Sequence, residues 1–390
     1  MKSSNVGAAG GLVISSLSAA AAAFFVNVLS ARALGPELRG TVAFVLQLSY
    51  FVAPILLLGV ERRILRAGRA ASREDTVPAN SVALLAGFAI LICGSLAGVS
   101  GAIAVLVAIV SVLFGYARAW NVAKGQTVRY VYPFVAYQFT MVAGSLGLFL
   151  ADVTFWPAWA IVYVFPGLAI AAWQVRRLIW VASNPLLGVF RALRLNGNYM
   201  VASLSVIATT RFERLILPLA TSPRELGIYI VVATASEPVF WFAQALSDVR
   251  VGAGKRSAFS RRAILFDLLI FSIAGALGGT AINYLLVPIF GEQYEAAREL
   301  ICPLIISSVV LALYRQLSGK LLLSESSRVV ASSEVVTAIV AVVLYTTFVL
   351  VFKSALGAAW GSVAVYFAAI VVLGLFAARR NRGSRGGGSC

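Results

Sequence analysis

The stretch Thr209–Phe240, TTRFERLILPLATSPRELGIYIVVATASEPVF, places charge in segments that are otherwise apolar enough to cross a membrane. Arg211, Glu213 and Arg214 lie near the middle of one apolar segment, and Glu237 lies about as deep in the next. An arginine at the centre of a membrane helix costs about 2.5 to 3.5 kcal/mol on insertion scales, so such residues face protein or a water-filled cavity. The sequence therefore predicts a polar site inside the membrane.

Arg211 and Arg214 are three residues apart, so they lie about 60° apart on one helical face. That face is the candidate substrate-binding surface. Glu213 and Glu237 are candidates for charge balance or ion coupling. The alternative is a structural Arg–Glu pair between packed helices, and the sequence leaves both interpretations open.

The composition indicates a polytopic helical membrane protein. Of the 390 residues 60% are hydrophobic and only 12% are charged, and the mean hydropathy is +0.91. Histidine is absent, so neither an imidazole metal site nor histidine catalysis is possible. The three cysteines show no CxxC spacing. No Walker A pattern occurs, the connections are too short for a soluble catalytic domain, and we expect no enzyme activity and no cofactor.

Apolar runs predict an all-α fold with twelve membrane spans. The run from residue 80 to 119 is divided at Gly98–Gly101, because one helix of that length would be about twice as long as the bilayer is thick. The predicted spans are Gly7–Leu29, Thr41–Val60, Asn80–Gly98, Gly101–Ala119, Arg129–Leu150, Phe155–Trp173, Tyr199–Ala220, Leu226–Leu246, Ala263–Phe290, Leu300–Leu317, Val330–Val351 and Ala355–Ala377.

The basic residues give the orientation. With twelve spans, 25 of the 32 Lys and Arg residues fall on the side of the two termini. By the positive-inside rule both termini are cytoplasmic, as expected for a multi-pass protein of the cell (inner) membrane. Because the +17 charge lies in short clusters between apolar runs, it does not indicate nucleic-acid binding. The residues on the opposite side are Arg32, Arg39, Arg224, Arg298 and Lys353.

The chain divides into two halves that repeat. The sequence GPELRG, from Gly35, and SPRELG, from Ser222, precede the second span of each half, and their prolines are 187 residues apart. Six spans in each half make the repeat parallel, and the substrate site is expected between the halves. The predicted divisions are a first lobe (1–178), a basic cytoplasmic linker (179–197), a second lobe (198–380) and a flexible basic tail (381–390).

Smaller polar and glycine patterns accompany these spans. Asn27, Gln47 and Gln244 lie within spans and are candidate substrate-binding residues, although each could instead form an interhelical hydrogen bond worth about 0.6 kcal/mol. A second similarity between the halves, a repeated pair of glycines four residues apart, predicts close helix contacts of the small-xxx-small type. Its residues are Gly94 and Gly98 in the first half, and Gly275 and Gly279 in the second.

Four segments resemble one known family, the polysaccharide-transporter branch of the multidrug/oligosaccharidyl-lipid/polysaccharide flippase superfamily. They are ARALGPELRGTVAFVLQLSYF from Ala31, ERLILPLATSPRELGIYIVVATASEP from Glu213, FGEQYEAARELICPLIISSVV from Phe290 and SALGAAWGSVAVYF from Ser354. The resemblance covers nearly the whole chain, and Glu213-Arg214 occupies an acidic-basic position typical of the family's seventh span.

The resemblance implies twelve helices in two six-helix lobes around a central cavity. It also implies that a polyprenyl-diphosphate-linked oligosaccharide is moved outward by alternating access, with a polysaccharide polymerase and export machinery as candidate partners. Guanidinium groups suit a diphosphate because they stay protonated and donate in pairs. Two alternatives remain: a cation-coupled multidrug exporter of the same superfamily, and a scaffold subunit of an envelope polysaccharide assembly complex that transports nothing.

Overall fold

The computed structural model describes residues 3–72, 76–176, 180–252, 259–324 and 327–383, which form helices and contain no β-strand. Two 3-10 helices, Gly68–Ala70 and Glu292–Ala297, lie between α-helices. The α-helices are α1 (Ser3–Leu57), α2 (Val60–Ala67), α3 (Ala79–Ala123), α4 (Thr127–Leu150), α5 (Trp156–Ile161), α6 (Phe165–Val175), α7 (Pro185–Ala220), α8 (Pro223–Gly252), α9 (Arg261–Phe290), α10 (Arg298–Ser324), α11 (Ser327–Phe352) and α12 (Ala355–Gly383).

The chain forms two compact units, Met1–Ile207 (unit 1) and Ala208–Cys390 (unit 2), and α7 runs through the boundary. In unit 1, α1 packs against α3 and α4, and α6 packs against the same two helices. In unit 2, α10 packs against α8, α9 and α12, and α11 packs against α12. Each unit has buried clusters of aliphatic and aromatic side chains.

The described helices account for twelve membrane crossings. Nine helical stretches are long and apolar enough to span a membrane, and two of them, at Leu17–Leu57 and Ala79–Ala123, contain 41 and 45 residues. At 1.5 Å per residue these are about twice as long as the roughly 30 Å hydrocarbon core, and each contains a kink, so each crosses twice. The twelfth crossing is α7, whose five charged residues lower its hydropathy. The predicted all-α membrane fold with about twelve spans in two six-helix lobes is confirmed.

The repeated proline motifs mark the same turn in each unit. In α1 the helix breaks at Gly35, with φ 69° and ψ 176°, and a new helical segment begins at Pro36. In unit 2 the corresponding proline, Pro223, is the first residue of α8. A proline in the first helical turn is tolerated because that N–H has no helical partner, so both motifs start the second helix of their unit.

The break in α3 is made by two glycines. Gly98 has φ 55° and ψ −138°, a conformation that residues with a Cβ rarely adopt. After the reversal, Gly101 packs directly on the backbone of Cys93, and a Cβ added to Gly101 would lie 1.9 Å from the Cys93 carbonyl oxygen. The predicted division of this apolar run at Gly98–Gly101 is therefore confirmed.

The paired glycines of the two units have different roles. Gly275 and Gly279 of α9 lie against side chains of α10, and a Cβ at either would come within 3.1 Å of Val309 or Ile305. At Gly94, by contrast, no described atom lies within 4 Å of the Cβ position. The predicted small-xxx-small contact is correct for unit 2 and wrong for unit 1, because Gly98 forms the reversal in α3.

Most of the predicted linker (179–197) is helical. The helix α7 begins at Pro185, so residues 185–197 are helical although the sequence predicts a connection there. At the other end α12 continues to Gly383, and residues 384–390 of the predicted tail lie outside the described residues. The proposed lobe boundaries remain predictions.

We expect Gly101→Ala to lower the melting temperature of the purified protein in detergent. The added methyl group would overlap a backbone carbonyl that cannot rotate away, and overpacking of this kind costs about 1 to 3 kcal/mol. The matched control is Gly94→Ala, which adds the same methyl group to open space on the same helix. Equal melting temperatures for Gly101→Ala and the control would contradict the described hairpin.

Candidate functional site

The four charged residues of the opening stretch come together in unit 2, between α7 and α8. Arg211, Glu213 and Arg214 lie on α7, and Glu237 lies on α8 immediately before Pro238. We call the four charged side chains the charge cluster. All four side chains are at least three-quarters buried.

Arg214 is the centre of the charge cluster. Its Nη1 donates to Glu237 Oε1 at 2.8 Å, and its Nε donates to Glu213 Oε1 at 3.2 Å. The side chain is only 8% exposed, and its guanidinium carbon lies 6.0 Å from the centre of the Tyr229 ring. Two carboxylates thus compensate one buried cation, as the cost of burying an unpaired charge requires.

Glu213 is the most buried member of the charge cluster, at 1% exposed. Besides the bond from Arg214, its Oε1 accepts a hydrogen bond from the Tyr229 hydroxyl at 3.2 Å, and that hydroxyl is bonded to Ser362 of α12. Its second oxygen, Oε2, is buried with no hydrogen-bond partner among the described residues. Because buried polar atoms are normally satisfied, this oxygen is an exception within the cluster.

Arg211 lies at the more open side of the charge cluster. Its Nη2 is 3.7 Å from Glu237 Oε1, against 2.8 Å for Arg214, and its side chain is 15% exposed. Glu237 is 21% exposed and its Oε2 accepts a hydrogen bond from the indole of Trp241, one turn further along α8. The Arg211–Glu237 contact is therefore longer and less buried than either ion pair of Arg214.

Two tyrosines hold the backbone of α7 beside the charge cluster. Tyr345 of α11 donates to the Thr209 carbonyl at 3.3 Å, and Tyr366 of α12 donates to the Thr210 carbonyl at 3.4 Å. Both side chains are buried. The charge cluster is consequently positioned by α8, α11 and α12 together rather than by α7 alone.

Of the other sequence-predicted residues, one belongs to unit 2 and two belong to unit 1. Gln244 lies on α8, seven residues beyond Glu237 and hence about 10 Å along the helix, and it is partly buried. Asn27 and Gln47 belong to α1 in unit 1, where both are buried. The predicted location of a substrate site between the halves remains a prediction.

Asn27 binds an arginine that the sequence places elsewhere. The Nε and Nη2 of Arg39 donate to Asn27 Oδ1 at 3.0 and 2.7 Å, and Arg39 is only 4% exposed. The sequence pattern counts Arg39 among solvent-side residues, but the break at Gly35 turns this side chain back into unit 1. The Asn27 Nδ2 atom is buried without a hydrogen-bond partner in the described part of the chain.

A second buried ion pair in unit 2, Arg250–Asp267, holds helices together. Arg250 of α8 donates from both Nη atoms to the carboxylate of Asp267 on α9, and from Nη1 to Gln316 of α10 at 3.1 Å. Gln316 in turn donates to the Ala243 carbonyl at 2.8 Å. Because every group faces another helix of the same unit, this network joins α8, α9 and α10.

Unit 1 also has a small, partly open cavity of about 160 Å³. Its lining is mostly apolar, and the residues in it that carry polar side-chain groups are Tyr50, Glu61, Ser111 and Ser203. A drug-sized ligand needs roughly 300 Å³ or more, so this cavity is too small for one. Asn27 and Gln47 are not among its lining residues.

Sequence reasoning identified the charged members of the cluster but missed the residues that hold them. The missed residues are mostly hydroxyl-bearing aromatics in apolar spans, and such residues usually find a hydrogen-bond partner when buried. Polar aromatics at span depth were the available signal. The missed residues are Tyr229, Trp241, Tyr345, Ser362 and Tyr366.

The fold is similar to that of solved membrane transporters. An inward-facing multidrug resistance MATE family transporter of the MOP superfamily aligns over 97% of this chain and 100% of its own, with a TM-score of 0.62 and 15% identity. Lipid II flippase MurJ, in an inward closed conformation, aligns over 94% of this chain and 87% of its own, with a TM-score of 0.60 and 12% identity. For the eukaryotic MATE transporter AtDTX14, coverage is 95% of each chain, the TM-score is 0.56 and the identity is 14%.

At these identities the likeness shows the fold, which is the one shared by MATE transporters and MurJ. No protein-family model matches the chain, and no curated protein matches it. The chain is thus a multi-pass membrane protein with this transporter fold, and its substrate has to be argued from the site.

We expect Arg214→Ala to destabilise the protein far more than Arg211→Ala. Removing Arg214 leaves the Glu213 carboxylate buried without its cation, a loss of about 3 to 5 kcal/mol, whereas removing Arg211 leaves Glu237 bound to Arg214. The measurement is the melting temperature in detergent together with the abundance of each variant in membranes.

A double variant, Glu213→Gln with Arg214→Gln, is the control because it removes both charges, keeps the shape of the Glu213 side chain and keeps part of the Arg214 side chain. It should recover much of the stability lost in Arg214→Ala. Equal destabilisation by Arg211→Ala and Arg214→Ala would show that the two arginines are not divided in this way.

Proposed function

We propose that the protein is a flippase that moves a polyprenyl-diphosphate-linked oligosaccharide from the cytoplasmic to the outer leaflet, for surface polysaccharide biosynthesis. The observation that carries the proposal is the pair of guanidinium groups, Arg211 and Arg214, that converge on one carboxylate oxygen of Glu237. An oxygen anion held by two guanidiniums is the arrangement that a phosphate group would require.

The two arginines have different parts in this proposal. Arg214 is held by Glu213 and Glu237 and keeps the cluster together, so it is a positioning residue. Arg211 makes the longer contact and is the more exposed of the two, so its guanidinium is the group that turns to the diphosphate. The binding set predicted from sequence also includes Asn27, Gln47 and Gln244, and the unbonded Nδ2 of Asn27 is consistent with a polar contact there.

The net charge of the cluster indicates that substrate binding is coupled to a change at Glu237. Two guanidiniums and two carboxylates sum to zero, so the cluster as it stands does not attract a diphosphate. In our proposal the Glu237 carboxylate occupies the position of a phosphate oxygen, and it must become protonated or swing away when the substrate arrives. Glu237 precedes Pro238 and is partly exposed, so it is the carboxylate that can do so, whereas Glu213 is enclosed.

The fold supports transport and leaves the cargo open. One similar structure is named as a lipid II flippase and others as multidrug resistance transporters. A cationic drug would favour unpaired carboxylates, but here both carboxylates of the cluster are bound by arginine. We therefore place the lipid-linked anion first and a cation-coupled multidrug exporter second.

The proposed setting follows from the substrate. The flippase would lie in the cell (inner) membrane with both termini in the cytoplasm, because the basic residues concentrate on the side of the termini. A polysaccharide polymerase and export machinery would take the product. A scaffold role without transport would leave flipping unchanged when the charge cluster is removed.

The test is reconstitution in liposomes with a short-chain polyprenyl-diphosphate oligosaccharide, whose appearance in the far leaflet is measured. Arg211→Ala should lower the affinity for this lipid about tenfold to a hundredfold, because one charge-assisted contact is lost. Arg211→Lys keeps the charge but loses the paired donors, so it should also be impaired at unchanged abundance.

A cationic dye supplied to the same liposomes separates the two candidates. Dye export that survives in Arg211→Ala, together with no flipping of the lipid by the wild type, would favour the multidrug exporter. Normal flipping by Arg211→Ala, Arg211→Lys, Arg214→Ala and Arg214→Lys at normal abundance would refute the role of the charge cluster in diphosphate binding.

We expect Glu237→Gln to bind the diphosphate lipid more tightly at neutral pH than the wild type. The amide keeps the shape of the side chain but removes the negative charge that competes for Arg211 and Arg214. If Glu237 takes up a proton when the lipid binds, the affinity of the wild type should fall as the pH rises, and the variant should lack this dependence. The measurement is lipid affinity from pH 5 to about pH 8. Parallel profiles for both proteins would mean that Glu237 takes up no proton on binding, and equal affinities would mean that it does not compete with the lipid.

A further inference from the structure

The segment that leads into α7 is fastened to unit 1 by hydrogen bonds. The Asn80 amide makes two bonds to Ala182, donating to its carbonyl at 2.7 Å and accepting from its N–H at 3.1 Å. The N–H of Ala79 donates to the Trp180 carbonyl at 2.8 Å, and the Ser81 hydroxyl donates to the Pro185 carbonyl at 2.8 Å. The first turns of α7 therefore have a fixed position at the start of α3.

The same part of α7 also packs against the end of α1. Gly59 has φ 70°, and a Cβ there would lie 2.6 Å from the Met200 nitrogen and 2.8 Å from the Asn196 carbonyl oxygen. Arg66 of the short helix α2 donates to the Tyr199 hydroxyl at 2.7 Å. We use the name basic platform for α2 together with residues 185–199 of α7.

The basic platform lies at the level where helices of unit 1 enter and leave the bilayer. α1 ends at Leu57 just before it, and α3 begins at Ala79 beside it. α7 has 36 residues, or about 54 Å, so about 16 of them exceed a hydrocarbon core of roughly 30 Å. Residues 185–199 are thus the part of α7 that extends into the headgroup region.

The outer face of the basic platform combines apolar and basic side chains. Val189, Ala192 and Asn196 face inward and are buried, which fixes the opposite face of α7 as the outer one. The large apolar residues on the outer side are about half to two-thirds exposed, and Arg191 and Arg194 lie among them, three residues apart. These apolar residues are Leu186, Leu187, Phe190 and Leu195 of α7, with Leu65 of α2.

We propose that the basic platform is a binding surface for anionic phospholipid headgroups, selected over zwitterionic ones. Arg191 and Arg194 form no ion pair within the described residues, and the apolar neighbours place them at the depth of the phosphates. A helix with apolar side chains on its membrane face and arginines beside them binds in the interface, and each arginine adds attraction to anionic lipid. This surface shares no residue with the charge cluster and does not depend on which substrate is carried.

Charge complementarity decides between the possible occupants. A protein partner would be expected to supply carboxylates, but a membrane protein already has a continuous layer of phosphate at this depth. The exposed leucines and phenylalanine of the platform also match acyl chains, which lie next to that layer. The occupant that satisfies both features is an anionic phospholipid.

The experiment is native mass spectrometry of the full chain in detergent with equal amounts of phosphatidylglycerol and phosphatidylcholine. The wild type should retain phosphatidylglycerol in preference. In Arg191→Ala/Arg194→Ala this preference should fall roughly tenfold to thirtyfold, the loss expected for two interfacial arginines. Arg191→Lys/Arg194→Lys keeps both charges and should keep most of the preference.

The matched control is Arg224→Ala/Arg298→Ala, which removes two exposed arginines from unit 2 and changes the net charge equally. It should retain the wild-type preference. The proposal is overturned if the control and the platform variant lose phosphatidylglycerol to the same extent, or if the platform variant loses none. Circular dichroism and the melting temperature of each variant show whether it is folded. If the alanine variant is misfolded, Arg191→Lys/Arg194→Lys and Leu187→Ser/Phe190→Ser test the same surface.

Discussion

A guanidinium group cannot lose its charge when a helix carries it into the membrane, so the rest of the protein has to supply the opposite charge. Around Arg214 this requirement sets the positions of several helices. Glu237 brings α8 against α7, and Glu213 brings in Tyr229 and through it Ser362 of α12. The packing of unit 2 around α7 therefore follows from the need to compensate one buried cation.

The same requirement explains why the cluster is suited to a function. A purely structural ion pair would be most stable with all of its atoms satisfied and enclosed. This cluster instead has an unbonded oxygen on Glu213 and a long, partly exposed contact between Arg211 and Glu237. The Arg250–Asp267–Gln316 network provides the comparison, because there both Nη atoms of the arginine bind Asp267 and three helices are joined.

The sequence predicted the features that depend on local chemistry. Hydropathy and helix length gave the crossings and the reversal at Gly98, since both depend on the thickness of the bilayer. Contacts between distant residues could not be read in this way. The sequence pattern places Arg39 on the solvent side, but the break at Gly35 sends its side chain back to Asn27. The pattern also predicts a helix contact at Gly94 that the fold does not make.

The candidate site was predicted to a similar extent. The four charged residues are visible in the sequence because charge is rare in apolar spans. Their arrangement was not, because Tyr345 and Tyr366 reach Thr209 and Thr210 from more than 130 positions further along the chain. A pattern within one span carries no information about which tyrosine of another span will meet it.

The fastening of residues 180–200 to the ends of α1 and α3 has a consequence for biosynthesis. Unit 1 has its six crossings by Val175, but Asn80 and Ser81 meet their partners only once Ala182 and Pro185 have been added, and Gly59 meets its neighbour only once Met200 has been added. During synthesis, all six crossings of unit 1 would thus be made before its helices could complete their packing. Its final packing would be completed by the opening turns of α7, which belong to the same unit, so unit 1 can close only after its last residues have been made.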